Sequence, residues 1–145
     1  MKTKLLVRGD GQRTYAVVFG TGEEVAAGLL AIAREHRLKG SHLTALGALQ
    51  DVVLGYWDWE GKDYRRISLQ EQVEVVSLVG NIALGPDGAP KVHAHLVVSK
   101  SDGTAHGGHL LEAHVRPTLE VIIMESPEHL QRITDPETGL ALLKL

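Results

Sequence analysis

Apolar residues recur at helical spacing in one stretch near the N-terminus. The segment Thr21-Gly22-Glu23-Glu24 has the form of a capping box, whose threonine and glutamate side chains satisfy free N–H groups at a helix start. Apolar residues then follow at intervals of three or four, at Val25, Leu29, Ile32 and Ala33, and Gly40 stands where a helix could end. The pattern predicts one main helix over about 23–37, packed on a sheet by its apolar stripe. Its outer face, including Glu24, Arg34 and Glu35, is expected to lie in water.

The two-residue period of β-strands dominates the rest of the chain. Turn-forming groups rich in glycine, proline and aspartate separate the apolar runs, beginning with Gly9-Asp10-Gly11 in a predicted N-terminal hairpin. Further strands are predicted at 42–49, 52–59, 64–69, 73–84, 92–98 and 118–125, while residues 110–115 fit either a strand or a bend. One helix against a run of hairpins predicts an α+β, two-layer fold with a mostly antiparallel sheet.

Two of the predicted strands have apolar residues on both faces. The runs 73–84 and 118–125 carry them at odd and even positions alike, as expected where both faces of a strand are buried. A helix covers only one face of the sheet in a two-layer fold, so the second face needs another cover. A homo-oligomer is the simplest way to supply it.

Composition narrows the class of protein. The 145 residues are 43% hydrophobic and 23% charged, which is typical of one ordinary globular domain, so we expect a single domain over 1–145. There is no cysteine, which excludes disulfides and thiolate metal ligands. No apolar run reaches the roughly 18 residues of a membrane span, and the start Met1-Lys2-Thr3-Lys4 does not resemble a signal peptide. We therefore expect a cytoplasmic protein with no membrane partner.

The balance of charge argues against a nucleic-acid partner. There are 15 Lys and Arg residues against 18 Asp and Glu residues, a net charge of −3, and neither sign forms a long run. A nonspecific duplex binder normally concentrates basic side chains on one face, because neutralised phosphates then release their counterions. DNA is therefore a disfavoured partner.

Five of the eight histidines lie between Lys91 and Val115. His93 and His95 point to the same side of a strand, with Cα atoms roughly 6.6 Å apart, a spacing from which both rings can reach one metal ion. His109 is the nearest candidate for a third ligand, and the two glycines before it allow a turn or a close approach of the backbone. The spacing predicts a three-histidine metal site, although two hydrogen-bonded histidines at a subunit interface would also fit the first pair.

Zinc is the metal that best suits such a site. Neutral imidazoles are good zinc ligands, and three protein ligands leave a fourth position open for chemistry on a small molecule. His106 and His114 are held in reserve: His106 is expected in an exposed turn, and His114 is expected to pack or cap rather than bind metal.

Acidic residues near the histidines are candidates for acid or base chemistry or for a supporting role. Glu74 and Glu120 lie in apolar strands, where a carboxylate is costly unless paired, so each is expected to contact an arginine or the second nitrogen of a histidine. Glu112 and the turn residue Asp102 are the other candidates. None of the four stands out as a catalytic residue.

Several motifs in order resemble those of one known family. The run 74–82 is followed by His93-Ala94-His95-Leu96, then by Gly103 with Gly107-Gly108-His109-Leu110, and finally by 118–122. The chain is similar over nearly its whole length to the PPC, or plants and prokaryotes conserved, domain. The resemblance implies an α+β fold with a bent antiparallel sheet, assembled as a homotrimer. It also implies a metal in some prokaryotic members, with His93, His95 and His109 at the matching positions.

The chain departs from the plant members of that family. In plants the domain follows AT-hooks that bind the minor groove of DNA, whereas prokaryotic members usually consist of the domain alone and are often described as DNA-binding. No R-G-R-P-like hook occurs here, so the element that would insert basic side chains is missing. Three hypotheses remain: a homotrimeric metal-binding domain of unsettled activity, a DNA-associated or regulatory oligomer, and a metal-dependent hydrolase or lyase acting on a small molecule.

Overall fold

A computed structural model describes all of residues 1–145, as one helix and nine strands. In chain order these are β1 (Lys2–Gly9), β2 (Gln12–Gly20), α1 (Val25–Glu35), β3 (Gly40–Asp58), β4 (Asp63–Leu69), β5 (Val73–Leu84), β6 (Pro90–Ser99), β7 (Ala105–Glu125), β8 (Gln131–Thr134) and β9 (Ala141–Lys144). The predicted α+β class with a mostly antiparallel sheet is confirmed, since only the single pair between β5 and β8 is parallel. The helix is not long and apolar enough to cross a membrane.

Helix α1 lies where the sequence predicted it, but its ends are formed differently. All four residues of the predicted apolar stripe are buried, while Arg34 and Glu35 are exposed. The N-cap is Glu24 rather than Thr21, because its carboxylate accepts the N–H groups of Ala26 and Ala27. Glu24 also accepts the Ala113 N–H of β7, so it is half-buried and not on the outer face as expected.

Two long strands, β3 and β7, organise the sheet. They pair with each other over most of their length. Strand β3 continues through 50–51, where the sequence suggests a break, and 110–115 form a strand within β7 rather than a bend. Strand β3 also pairs with β5, β5 with β6, and β6 with the start of β7. The four strands therefore form a closed circuit, which brings the start of β7 back beside β6.

The core lies inside this circuit and beneath α1. Along β5 the residues Val73, Val75, Leu78 and Ile82 are buried, and the alternate residues point outward. Two of the outward positions of β5, Val76 and Val79, are apolar, and exposed apolar side chains lie on neighbouring strands as well. We call this surface the outer apolar face; it consists of Leu46, Val76, Val79, Val97 and Ile122, which are 63%, 55%, 47%, 39% and 39% exposed.

Candidate metal centre

Strand β6 presents the first two histidines as the sequence predicts. Ala94, Leu96 and Val98 are buried, whereas His93 and His95 project from the other face. The Nε2 atoms of the two histidines are 3.2 Å apart. Two ligands of a tetrahedral zinc with N–Zn bonds of about 2.0–2.1 Å would lie about 3.3 Å apart. The spacing is therefore that of two ligands of one ion.

Strand β7 brings the third histidine to this pair through its register with β6. His109 is directly opposite His95 in the antiparallel ladder. The chain reverses at Gly103, which has a φ of 80°, so the two glycines before His109 do not form the turn. Gly108 instead allows the backbones of β7 and β3 to lie close together, because a Cβ there would lie 2.8 Å from the carbonyl oxygen of Gly55 on β3.

The three imidazoles converge on one point. One ring nitrogen from each of His93, His95 and His109 lies within 4.8 Å of the other two, and the ring centroids are 5.0 to 5.3 Å apart. We call this group the histidine cluster. Small ring movements would place all three nitrogens at bonding distance from one cation.

The electrostatics of the cluster favour the form of histidine that binds metals. Burial, followed by the positive charges of His93 and His95, lowers the pKa of His109 to about 4. Burial also lowers the pKa of His93, as do the charges of Arg132 and His95. Both rings are therefore neutral at neutral pH, which is the state that ligates a metal.

One nitrogen in the cluster lacks a protein partner. The Nδ1 atom of His109 is buried and makes no hydrogen bond. A hydrogen bond between His93 and His95 alone would explain their spacing, but it would leave this atom of His109 unsatisfied. Unsatisfied buried nitrogens call for a water or an ion. An all-imidazole donor set with such an atom fits zinc.

The four acidic candidates lie away from the histidines. Glu74 and Glu120 are exposed on β5 and β7 and make neither a hydrogen bond nor an ion pair, so neither makes the expected contact with an arginine or a histidine nitrogen. The Glu112 carboxylate is 3.5 Å from Arg66 at the surface. Asp102 accepts the N–H and hydroxyl of Thr104 within its own turn. None of these contacts connects a carboxylate to the cluster.

The two reserve histidines are outside the cluster. His106 is half-buried within β7, opposite Val98, so the prediction that it lies in an exposed turn is wrong. His114 packs against a partner as expected: its Nδ1 is 2.7 Å from Asp51 Oδ1 on β3, and that carboxylate raises the pKa of His114.

Two neighbours of the cluster are absent from the sequence-based candidates. The ring of Tyr64, on β4, stacks on His109 with centroids 4.7 Å apart. Arg132, on β8, lies close enough to His93 for its charge to lower the pKa of that histidine. Both reach the site from segments that the sequence presents as an ordinary strand and as a tail, so no local pattern marks them.

Comparison with known proteins places the chain in a family. Residues 7–127 match the family model of the Plants and Prokaryotes Conserved (PCC) domain. A plant- and prokaryote-conserved protein from Pyrococcus horikoshii is 30% identical with a TM-score of 0.85, covering 99% of this chain and 95% of its own. A metal-containing protein from Archaeoglobus fulgidus is also 30% identical, with a TM-score of 0.83 and coverage of 100% and 99%.

Other relatives carry different descriptions. A protein from Bacteroides thetaiotaomicron, provisionally described as DNA-binding, is 25% identical with a TM-score of 0.88, covering 98% of this chain and 96% of its own. A bifunctional protein GlmU from Synechococcus is 33% identical over 130 residues, or 88% of this chain, but the chain spans only 20% of that protein's length. The match over residues 7–127 confirms the resemblance in the sequence motifs: the chain belongs to the Plants and Prokaryotes Conserved domain family.

Proposed function

We propose that this protein binds one divalent metal ion, best suited to be zinc, through His93, His95 and His109. The observation that carries the proposal is the convergence of three imidazoles, one of which has a buried nitrogen without a partner. The structural relative from Archaeoglobus fulgidus, described as metal-containing, supports it. His93, His95 and His109 would hold the ion, and a zinc bound by three protein ligands would supply Lewis-acid chemistry.

The residues around the cluster hold its rings in place. Tyr64 stacks on His109 and limits its rotation, and the ladder between β6 and β7 fixes His95 beside His109. None of the four acidic candidates contacts a histidine of the cluster, so none of the four is placed to transfer a proton at the site. We therefore propose metal binding as the function and assign no reaction to it.

Metal analysis of the protein, purified without an affinity tag, tests this proposal. We expect about one zinc per chain in the wild type, and a loss of at least tenfold in zinc affinity in His93→Ala and in His109→Ala. His106→Ala is the matched control, because His106 lies on the same strand as His109 but outside the cluster. A wild type that stays as metal-free as the two variants after zinc loading would rule the site out.

We further propose that the chain forms a homotrimer through the outer apolar face. Contiguous apolar residues with such large exposed fractions mark an interaction surface in a soluble protein. The face argues for association, and the trimeric number comes from the family resemblance. Val79 of the face is directly opposite His95 in the ladder between β5 and β6. The histidine cluster would thus lie at the rim of the subunit interface.

Light scattering during size-exclusion chromatography tests the trimer. We expect a mass three times that of the 15.7 kDa chain, and a monomer for Leu46→Glu, because a buried unpaired charge at the interface is costly. Leu143→Glu is the control, since Leu143 is exposed in β9 and is not part of the face. A monomeric wild type would contradict the proposal.

DNA binding has weaker support in this chain. It rests on the provisional description of relatives such as the Bacteroides protein, whereas the net charge here is −3. An electrophoretic mobility assay with A·T-rich duplex tests DNA binding. The salt concentration is about 0.15 M, because salt screens charges beyond a Debye length and weakens nonspecific attraction to the phosphates. We expect no retardation of the duplex at micromolar protein concentration. Retardation would support the DNA hypothesis, which the structure itself does not support.

A further inference from the structure

We propose that a cavity beside the histidine cluster binds a small organic carboxylate, with Arg132 as the residue that receives the carboxylate group. The cavity has a volume of about 250 Å³. His93, His109 and Arg132 supply its polar wall, and Tyr64, Leu140 and Leu142 supply apolar surface. The proposal deepens the proposed function and rests on it, because the bound cation would be a further positive group facing the ligand.

Arg132 is a buried cation without a counter-ion. Its side chain and backbone together are only 5% exposed, and no carboxylate lies within ion-pairing distance of its guanidinium. Its Nη1 donates to the carbonyl oxygen of Ala141 at 2.8 Å, and its Nη2 donates to the amide oxygen of Asn81. Both partners are neutral. Buried charges in proteins are normally paired, so the unpaired guanidinium is a feature that an anion would satisfy.

The guanidinium also has donors to spare. The Nε atom of Arg132 is buried and makes no hydrogen bond, and Nη2 uses one of its two N–H groups on Asn81. Carboxylates accept hydrogen bonds from such free guanidinium N–H groups, and the planar guanidinium is well suited to bind them. The guanidinium therefore offers both a charge and free donors to a carboxylate.

The lining of the cavity limits the rest of the ligand. No aspartate or glutamate lines it, and the other basic residue, Lys91, has its ammonium group 3.2 Å from Asp87. The cavity is slightly smaller than the roughly 300–1,000 Å³ of typical ligand pockets, which favours a molecule of a few carbon atoms. Its leucine and tyrosine surface favours an organic anion over inorganic phosphate.

Arg132 reaches the cavity from the C-terminal tail of the chain. Residue 132 lies beyond the segment 7–127 that matches the family model. Strands β8 and β9 form a hairpin that carries Arg132, Leu140 and Leu142 to the cavity, and β8 pairs with β5 at Leu84. The tail therefore closes one side of a site whose histidines lie within the matched domain.

Nuclear magnetic resonance of the zinc-loaded, ¹⁵N-labelled full chain tests the proposal directly. Propionate is the probe, and the readout is the side-chain Nε–Hε resonance of Arg132, assigned by its loss in Arg132→Lys. We expect a saturable shift with a Kd in about the millimolar range, the affinity typical of ligands with so few atoms. Propionamide, which has the same shape without the charge, should leave the resonance unmoved. An unmoved resonance with propionate, or an equal shift with propionamide, would overturn the proposal.

Calorimetry on variants supplies a second measurement. Arg132→Gln should weaken propionate binding by about tenfold or more, the effect of a lost charged hydrogen bond. Arg66→Gln is the control and should bind as the wild type does, because Arg66 is a surface residue. If Arg132→Gln fails to fold, the titration of the wild type with propionate still tests the proposal.

Zinc content measured on the same samples separates the two proposals. A metal-free wild type counts against the metal site, whereas a zinc-loaded protein without an Arg132 response counts only against the carboxylate site.

Discussion

The protein contains two groups of buried polar side chains that differ in how their hydrogen bonds are satisfied. At one, the carboxylate of Glu125 accepts the N–H groups of Lys39 and Gly40 and the hydroxyl of Ser41, and Arg13 is 3.7 Å away. At the other, the histidine cluster and Arg132 retain buried nitrogens without partners. A group that the fold satisfies completely contributes to stability, whereas the unpaired nitrogens of His109 and Arg132 belong to side chains that line one cavity, which favours a ligand there.

The largest expected effect comes from breaking the satisfied group. Glu125→Ala should lower the free energy of unfolding by about 3–5 kcal/mol, because it leaves several buried donors and the Arg13 charge without an acceptor. Chemical denaturation measures the change. Glu112→Ala on the same strand is the control and should cost less than about 1 kcal/mol, since its ion pair with Arg66 is exposed.

Chemical denaturation can also contradict this difference between the Glu125 group and the histidine cluster. His93→Ala in metal-free protein should cost far less than Glu125→Ala, because no fully satisfied network is lost. A metal-free His93→Ala variant as unstable as Glu125→Ala would show that the histidine cluster is itself part of the framework of the fold.

A smaller effect is expected from the glycine pair that precedes His109. Gly108→Ala should destabilise the protein by about 1–3 kcal/mol and weaken zinc binding, because its Cβ would meet the Gly55 carbonyl and displace β7. Gly107→Ala is a matched control, since its Cβ would come no closer than 3.4 Å to any atom of its surroundings. Denaturation and zinc titration of both variants give the comparison. Equal effects of the two substitutions would contradict the assigned role of Gly108.

The smallest effect concerns His114, whose polar pair is partly open to solvent. Asp51 raises the pKa of His114 in the folded protein, so the pair stabilises the fold below the ordinary histidine pKa of 6.5. This stabilisation is lost as the pH rises through the higher pKa of the folded state. The side chains are 31% and 21% exposed, so we expect only about 0.5 kcal/mol. Denaturation from pH 5 to pH 9 should show this loss of stability in the wild type and not in His114→Gln. If the variant lost as much stability as the wild type over this range, the pair of His114 and Asp51 would be excluded as the source.

Much of the fold follows from local periodicity. The apolar spacing that predicts α1 identifies all four of its buried residues, and the alternation along β6 places His93 and His95 on one face. These predictions succeed because the period of a helix or strand links residues that are only a few positions apart. The capping box is wrong in detail: Glu24 caps the helix instead of Thr21, and it also accepts the Ala113 N–H of β7, a distant contact that the local pattern does not show.

Predictions that depend on distant contacts were less complete. The acidic residues Glu74 and Glu120 carry no local sign that they would face solvent, because the sequence shows apolar neighbours on both sides of each. The sequence predicts only part of the role of Gly108: it indicates a turn or a close approach of the backbone, but the partner on β3 is more than fifty residues away in the chain. Such pairings depend on strand register, which a single sequence does not encode locally.

The sequence by itself determined the family, the fold class and the three histidines, because motif spacing and hydrophobic period are properties of neighbouring residues. Only the tertiary structure decided what surrounds those histidines. The closed circuit of β3, β5, β6 and β7 brings His109 back to His95, Tyr64 arrives from β4, and the tail delivers Arg132. Each of these contacts joins segments far apart in the chain, and each forms only because strand pairing and core burial fix the segments in one arrangement.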